Sequence, residues 1–451
     1  MPRKPRKTKK ARAPKPSVDT ELARAVQLMD AGELAMSESV CRKVLLRAPD
    51  EPEALHLLGV LLGERGDTEE AIALLERAVS LDPGHLPAWN NLGVLLMPAA
   101  PAKAEAIFRQ LIDSAPDDVE ARGNLATLLE RTERYPEAES ELRALLARAP
   151  DDELALRLLG CVLHFQHKYE EEVTVAHALL RADPNNHAMR ETLGRAYARW
   201  FDAVDTDAAR GRNVLEQWLA FDPDSPVALH MWAAMSGASV PARASIGYVA
   251  QHFDSFAESF DEVLTGLHYR APELAVALLE QERASSGAAL DVVDLGCGTG
   301  RLGPLVAPFK KSLVGVDLSQ GMLAQAALRN VYDQLRCDDL VPFLGAHPNA
   351  FDVAMCLDTL VYFGALDELL GAVAGALRAS GRLFCTTELL ADAPGASFVL
   401  HPAGRYAHTQ GYVRDALFRA GFVLEHEVPF EVRSEGVVKV PGLLIGARRM
   451  A

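Results

Sequence analysis

A repeat of about 34 residues, the length of a helix-pair unit, runs through the first half of this 451-residue chain and constrains its fold most. Prolines recur at nearly constant spacing, at Pro49, Pro83, Pro116, Pro150 and Pro184. Small residues keep the same spacing, at Gly59, Gly93, Ala126, Gly160 and Gly194. Because a small residue lets two helices approach and proline cannot continue a helix, each period predicts a pair of packed helices.

These units resemble the tetratricopeptide repeat, which places small residues where its two helices touch and a proline beyond the second helix. We expect five to six units over residues 18–236, forming an all-α solenoid. The interval from Pro184 to Pro223 is longer than the others, which predicts an insertion around Asp202 to Asp207. The resemblance implies that the array holds a protein partner or substrate on its concave face. The alternative is a self-association or purely structural role.

Residues 1–17 form a separate basic tail. The first 16 residues carry eight Lys or Arg, no acid and four prolines, so the net charge of −16 leaves −24 on the rest of the chain. We expect this tail to be disordered, either as a tether to nucleic acid, ribosome or an acidic surface or as a solubilising segment. Nucleic acid is not indicated beyond the tail, because the body is acidic.

Composition excludes several other classes of protein. With 49% hydrophobic residues the chain can bury cores, and no stretch approaches the roughly 18 apolar residues of a membrane span, so we expect a cytoplasmic protein. The six cysteines form no Cys-x-x-Cys pair, which argues against a zinc ribbon or a disulfide framework. We recognise no metal-ligand cluster and predict no metal site.

A linker at residues 237–245 precedes a region, residues 246–451, that alternates strands with helices. Apolar runs predict strands at 289–295, 312–316, 351–357 and 382–387, with helical segments between them. Such alternation predicts a parallel, doubly wound α/β sheet.

A glycine-rich turn follows the first of these strands. Asp294 lies at the end of the strand, and Gly296, Gly298 and Gly300 come directly after it. Glycines let the backbone pass close to a ligand above the carboxyl edge of the sheet. Asp317 ends the next strand, where a carboxylate can accept hydrogen bonds from two ribose hydroxyls. Together they predict a cofactor that contains a nucleoside.

The prediction of which cofactor binds depends on Asp294, the acid that precedes the glycines. Residues 298–303 match the letters of the dinucleotide fingerprint, but the glycine directly after the strand is Gly296, and Asp294 would repel a pyrophosphate. The segment 294–300 instead resembles the first motif of class I S-adenosylmethionine-dependent methyltransferases. That resemblance implies a Rossmann-like domain with a mostly parallel seven-stranded sheet, and S-adenosylmethionine as cofactor.

The same resemblance assigns further residues. It places Asp317 at the ribose, and Asp338 or Asp339 before Leu340 at the adenine, with Asp339 preferred; Leu357 and Asp358 end the fourth strand. Segments 422–432 and 437–448 match the antiparallel last strands of the family. An aromatic stripe at residues 248–260 is either helix packing or a lid over the donor. Taken together, residues 18–451 resemble bacterial predicted methyltransferases that carry tetratricopeptide repeats.

Catalytic candidates come from the acceptor side of that fold. His408 follows the fifth strand and precedes a helix predicted at 412–420, so we predict that it takes the proton from the acceptor; alternatively it packs or caps the loop. Asp358, Tyr362 and Tyr269 are predicted as orienting groups. No Asn-Pro-Pro-Tyr motif follows the fourth strand, which disfavours base or glutamine methylation.

The main hypothesis is therefore an S-adenosylmethionine-dependent methyltransferase whose repeats recruit a protein partner or substrate. The alternative is a noncatalytic repeat scaffold with a methyltransferase-like domain that only binds a nucleoside. The intact glycines and acids favour the enzyme.

Overall fold

The computed structural model describes residues 17–204, 207–267, 269–283, 289–391, 397–435 and 438–450. The chain divides into two compact units, one ending at Trp200 and one beginning at Phe201. Most of the basic tail, residues 1–16, lies outside the described residues, as do residues 205–206 of the predicted insertion and residues 436–437 between the last two strands. None of the described helices is long and apolar enough to cross a membrane.

The first unit is built from consecutive helix pairs, which confirms the all-α repeat array; the last of its helices (His187–Val204) continues into the first residues of the second unit. Its helices are α1 (Val18–Asp30), α2 (Leu34–Leu45), α3 (Pro52–Arg65), α4 (Thr68–Leu81), α5 (Leu86–Leu96), α6 (Pro101–Ser114), α7 (Val119–Arg131), α8 (Tyr135–Leu146), α9 (Glu153–Phe165), α10 (Tyr169–Ala182) and α11 (His187–Val204).

Two of the periodic glycines, Gly59 and Gly93, lie where the two helices of a unit touch. A Cβ atom on Gly59 of α3 would stand 2.8 Å from Cγ of Leu75 in α4, and one on Gly93 of α5 would stand 2.6 Å from Cε1 of Phe108 in α6. Both distances are too short for real contacts, so a larger residue would push the helices apart. The longer spacing from Pro184 to Pro223 coincides with α11, which has 18 residues.

The second unit opens with helices and then alternates strands and helices. Its helices are α12 (Ala208–Phe221), α13 (Pro226–Ser236), α14 (Ile246–Asp254), α15 (Phe260–Gly266), α16 (Ala271–Arg283), α17 (Gly303–Val306), α18 (Gln320–Leu328), α19 (Leu340–Gly345), α20 (Asp367–Ala376) and α21 (Gln410–Arg419), with a 3₁₀ turn at Leu360–Tyr362. Its strands are β1 (Leu290–Leu295), β2 (Lys310–Asp317), β3 (Gln334–Cys337), β4 (Phe351–Cys356), β5 (Leu377–Leu390), β6 (Phe398–Leu400), β7 (Tyr406–Thr409), β8 (Phe422–Glu435) and β9 (Val438–Arg449).

The strands form one mostly parallel sheet, which confirms the predicted fold class. Strands β3, β2, β1, β4 and β5 are parallel neighbours in that order, and β9 runs antiparallel between β5 and β8. The order reverses between β1 and β4, so their carboxyl ends flank a crevice where ligands of such sheets bind. The prediction counted seven strands. The described residues also form two short ones: β7 pairs with the carboxyl end of β5, and β6 pairs with β7.

Helix α13, which the sequence assigned to the repeat array, lies in the second unit. Its His230 donates from Nε2 to the carbonyl of Gly404 at 2.9 Å, and its ring stacks on Tyr248 of α14 at 3.9 Å between centroids. Two alanines of α13 also form a small apolar cluster with Leu400 and Tyr406. The predicted linker at 237–245 therefore connects two packed parts of one unit.

Candidate functional site

A cavity that is partly open to solvent lies at the carboxyl ends of β1, β2 and β4, and its empty space together with the open mouth is about 1060 Å³. Its wall combines the glycine-rich turn, the strand-end acids and an aromatic segment from α14 and α15. Ten of the predicted site residues line it, namely Asp294, Gly296, Gly298, Asp317, Asp339, Leu340, Leu357, Asp358, Tyr362 and Tyr269. Three others, Gly300, Asp338 and His408, are not among the residues that line it.

All three glycines of the turn have a left-handed backbone, and each differs in what a side chain at its position would meet. Gly296 (φ +72°) has no room for a Cβ because the side chain of Thr359 fills that space, and a Cβ on Gly300 (φ +78°) would stand 2.8 Å from the ring of Tyr332. At Gly298 (φ +53°) a Cβ would meet only the ring of Phe260, at 3.7 Å. Gly300, which does not line the cavity, therefore lets the turn pack closely against Tyr332, whereas Gly298 faces the cavity.

Two buried carboxylates stand beneath this turn. Asp317 accepts the backbone N–H of Gly298 at 2.8 Å and that of Ser319 at 2.9 Å, which ties the end of β2 to the turn. Asp294 accepts the hydroxyl of Tyr332 at 2.6 Å. Burial raises the pKa of Asp317, and burial together with the charge of Asp317 raises the pKa of Asp294 to about 7. A cation in the cavity would stabilise both ionised forms.

The two residues predicted to lie near the adenine, Asp338 and Asp339, have different positions in the structure. Asp339 caps α19 through the backbone N–H of Val341 and accepts both terminal nitrogens of Arg243, at 3.1 and 2.6 Å. Arg243, Asp339 and Leu340 all line the cavity. Asp338 is exposed and donates its backbone N–H to the carbonyl of Asp317. The structure thus brings Asp339, the preferred residue, to the cavity.

The aromatic stripe both packs and covers the cavity. Phe253 and Phe260 line its wall and contact each other edge to face at 5.9 Å between centroids. Two carboxylates in the middle of the segment anchor it: Asp254 accepts the hydroxyl of Ser319 at 2.5 Å, and Asp261 accepts that of Thr299 at 2.6 Å and pairs with Arg329. We call residues 246–266, which comprise α14 and α15, the lid.

A second charged group lies where β4 and β5 end. Arg405 pairs with Asp358 at 2.5 Å and with Glu388 at 2.7 Å, and its guanidinium lies over the ring of Tyr362, 5.7 Å from the centroid. Asp358 has a left-handed backbone (φ +53°), which is strained for an aspartate and common at functional sites. Burial and the nearby Asp358 carboxylate raise the pKa of the Tyr269 phenol above its usual range.

His408 does not reach the cavity, contrary to the sequence prediction. It lies in β7, is fully buried, and places Nδ1 2.7 Å from Oγ1 of Thr387 and Nε2 2.8 Å from the carbonyl of Phe363. Burial lowers its pKa to about 4. The prediction assumed a loop over the edge of the sheet, whereas this segment pairs with β5 as a strand and turns the ring into the core.

Residues that the sequence reasoning missed complete the wall. Arg243 comes from the predicted linker, and Thr359 donates its hydroxyl to the carbonyl of Leu295, joining the ends of β1 and β4. Arg405, which does not line the cavity, pairs with the lining residue Asp358 and was also not predicted. An isolated arginine or threonine in a connection carries no spacing signal, so their positions follow only from the fold.

Comparisons with known proteins agree with this architecture. Residues 293–383 match a family model described as a methyltransferase domain, and residues 52–95 and 95–160 match two models described as tetratricopeptide repeats. The methyltransferase match begins within β1 and ends within β5, so it includes the glycine-rich turn and the strand-end acids.

Curated relatives match parts of the chain. Protein FlbA of Caulobacter vibrioides is 33% identical over 121 residues, which are 26% of this chain and 20% of that protein. Human methyltransferase-like protein 27 is 40% identical over 84 residues, 18% of this chain and 34% of that protein. The chain thus spans about a fifth and a third of these relatives. A solved S-adenosylmethionine dependent methyltransferase from Mesorhizobium loti is 25% identical and covers 39% of this chain and 98% of its own, with a TM-score of 0.31.

Proposed function

We propose that this chain, which joins tetratricopeptide repeats to a class I methyltransferase domain, transfers a methyl group from S-adenosylmethionine to an acceptor brought by the repeats. The single observation that carries the proposal is the cavity in which Gly298 and Asp317 meet at the reversal point of the sheet. The open side of Gly298 admits a ligand, and Asp317 offers carboxylate oxygens beside it.

The charge of the wall favours this donor over a dinucleotide. Four acids, Asp294, Asp317, Asp339 and Asp358, line the cavity, and only Arg243 and Arg301 bring cationic side chains among the described lining residues. A pyrophosphate beside these acids would be repelled, whereas S-adenosylmethionine carries an ammonium and a sulfonium and no phosphate. When bound, it supplies a methyl group on a positively charged sulfur.

Each part of the wall then has a proposed task. Asp317 would hold the ribose, and Asp339 with the backbone of Leu340 would face the adenine. The aromatic side chains of the lid would exclude water and present ring faces, which attract cations. Asp294 would face the positive end of the donor, where its ionised form is favoured.

The acceptor would lie at the opposite end of the cavity, against Asp358, Tyr362 and Tyr269. Arg405 fixes Asp358 through their ion pair, so one carboxylate keeps a defined position beside the incoming nucleophile. Methyl transfer requires alignment and water exclusion more than a covalent side chain. We propose that Asp358 and the two phenols orient the acceptor, whose proton leaves to water as the methyl group is transferred.

The repeats have a proposed role of their own. We propose that the array, residues 18–236 by the sequence boundaries, recruits a protein partner or a protein substrate, and that residues 246–451 carry the methyl-transfer site. The match of residues 52–160 to repeat models supports this role, because such arrays commonly present concave protein-binding surfaces.

Methyl transfer from labelled donor tests the proposal. The full chain is incubated with S-adenosylmethionine labelled in its methyl group and a cell lysate, which is then separated into protein, lipid, nucleic-acid and small-molecule fractions. We expect label in one fraction with the native chain and at least a tenfold loss with Asp317→Ala. A fragment of residues 201–451 should label the same acceptor more slowly at low acceptor concentration if the repeats recruit it. Equal labelling by native chain and Asp317→Ala would reject the proposal.

A further inference from the structure

In the described part of the chain, one group of three His or acidic residues brings its ligand atoms within 4.8 Å of one another: Glu53, His56 and His85. The group lies in the first unit, apart from the methyltransferase motifs. Glu53 and His56 stand one turn apart on α3, and His85 precedes the first turn of α5 in the next repeat. The sequence did not predict it, because His85 is distant from His56 along the chain and only the repeat geometry joins them.

From this geometry we propose a binding site for a divalent transition ion of the zinc type between α3 and α5. The three side chains supply two imidazole nitrogens and one carboxylate, a ligand set that zinc accepts with water in the remaining position. The site would tie two neighbouring repeats together. It lies outside the proposed methyl-transfer function.

The distances suit such an ion. Nε2 of His85 lies 2.8 Å from Oε2 of Glu53, and Nδ1 of His56 lies 3.9 Å from Oε1 of the same carboxylate. Around a tetrahedral zinc with bonds of about 2.0 to 2.1 Å, ligand atoms are separated by about 3.3 Å. The two measured distances lie on either side of this value, so small side-chain rotations would bring these atoms to ligand spacing. The two imidazoles are 10% exposed and Glu53 is 42% exposed, so water can reach the carboxylate side.

One ring nitrogen of His56, on the side nearer Glu53, has no hydrogen-bond partner. Its Nδ1 is buried and has no hydrogen-bond partner, while Nε2 lies 2.9 Å from the amide nitrogen of Asn91. If the Asn91 amide turns its oxygen towards the ring, it accepts Nε2–H and leaves the Nδ1 lone pair facing Glu53. An acceptor behind a ligating histidine is the usual way in which proteins fix the ring for a metal.

His85 occupies a position where the two repeats that follow carry a better helix cap. Asp118 and Asp152 precede α7 and α9 and accept first-turn N–H groups through carboxylates, whereas Nδ1 of His85 accepts the N–H of Ala88 at 3.3 Å. The Ala88 N–H also has the carbonyl of His85 as acceptor at 3.1 Å. Binding through Nε2 would therefore replace the His85–Glu53 hydrogen bond by ligand bonds while the helix keeps its first turn.

Titration of the untagged full chain tests the site. Zinc binding is measured by calorimetry, and Co²⁺ is used as a coloured substitute whose visible bands report a low coordination number and whose near-ultraviolet region reveals any cysteine ligand. We expect one tight equivalent without thiolate bands. Glu53→Gln and His85→Ser should each weaken the affinity at least thirtyfold, since serine keeps a helix cap but removes the nitrogen ligand.

The matched control is His187→Ala. His187 also pairs with a glutamate, Glu191 at 3.4 Å, but it is 87% exposed and belongs to no such three-residue group among the described residues. It should leave affinity within twofold of the native chain. Far-ultraviolet circular dichroism in EDTA should show the same fold for every variant. No tight equivalent, thiolate bands, or affinity unchanged in both Glu53→Gln and His85→Ser would each overturn the proposal.

Discussion

Asp317 has a structural role in the glycine-rich turn and, in the proposed function, a second role in binding the donor. It holds the backbone of Gly298 and Ser319 and still faces the cavity. Charge-assisted hydrogen bonds contribute roughly 1.5 to 3 kcal/mol each, so Asp317→Ala should weaken S-adenosylmethionine binding at least tenfold. Calorimetry measures this, with Asp317→Asn as a control that keeps the shape of the side chain. A loss below twofold for Asp317→Ala would show that the ribose lies elsewhere.

The raised pKa of Asp294 predicts a pH-dependent affinity. With a pKa of about 7 without ligand, the carboxyl is mostly protonated at pH 6 and mostly ionised at pH 8. A cationic donor binds better to the ionised form, so its affinity should rise by about three- to tenfold from pH 6 to pH 8, with release of a proton. Asp294→Asn should bind more weakly at pH 8 and lose this part of the dependence. An unchanged pH profile in that variant would contradict the assignment.

At the level of single residues, sequence patterns predicted the acids and glycines of the wall because their spacing is tied to strand ends. Asp317, which ends one recognisable apolar strand, and Gly298, which comes shortly after another, are examples. Arg405 and Arg243 come from connections, where position depends on how the chain returns to the sheet. His408 was misplaced for the same reason: the sequence does not reveal that the short segment around it forms a strand.

Among the elements, the lid is the one whose attachment can be tested directly. Asp261 links α15 to Thr299 in the glycine-rich turn and to Arg329 after α18. Asp261→Ala removes both links and should speed donor dissociation at least fivefold, while Glu262→Ala, a change at its exposed neighbour, should not. Stopped-flow measurement of donor release distinguishes them. Equal release rates in the two variants would mean that α15 does not close the donor site.

Long periodic elements were predicted well from sequence and short ones were not. The repeat helices follow from two markers that keep one register, and β1, β2 and β4 follow from apolar runs bounded by acids. Strands β6 and β7 have three and four residues. Strand β7 pairs with the carboxyl end of β5 and β6 pairs with β7, and such pairing depends on partners outside each short segment, so local propensity could not indicate it.

For the whole molecule, the position of α13 predicts how the chain can be divided. A fragment of residues 201–451 keeps the contacts of α13 with Tyr248, Leu400 and Tyr406, whereas one of residues 246–451 loses them. Losing that burial costs about 2 to 4 kcal/mol, which corresponds to a melting midpoint lower by roughly 5 to 15 °C. Thermal unfolding of the two fragments measures the difference. Equal midpoints would show that α13 contributes no stability to this unit.

The central claim is that the cavity above β1, β2 and β4 binds S-adenosylmethionine. Calorimetric titration of the full chain tests it most directly, with Gly298→Arg to fill the cavity and Gly371→Arg, at an exposed helix position where a Cβ meets nothing within 4 Å, as the matched control. We predict binding of S-adenosylmethionine but not NAD by the native chain and by Gly371→Arg, and no donor binding by a folded Gly298→Arg. Unchanged donor affinity in folded Gly298→Arg, or preference for NAD, would contradict the account.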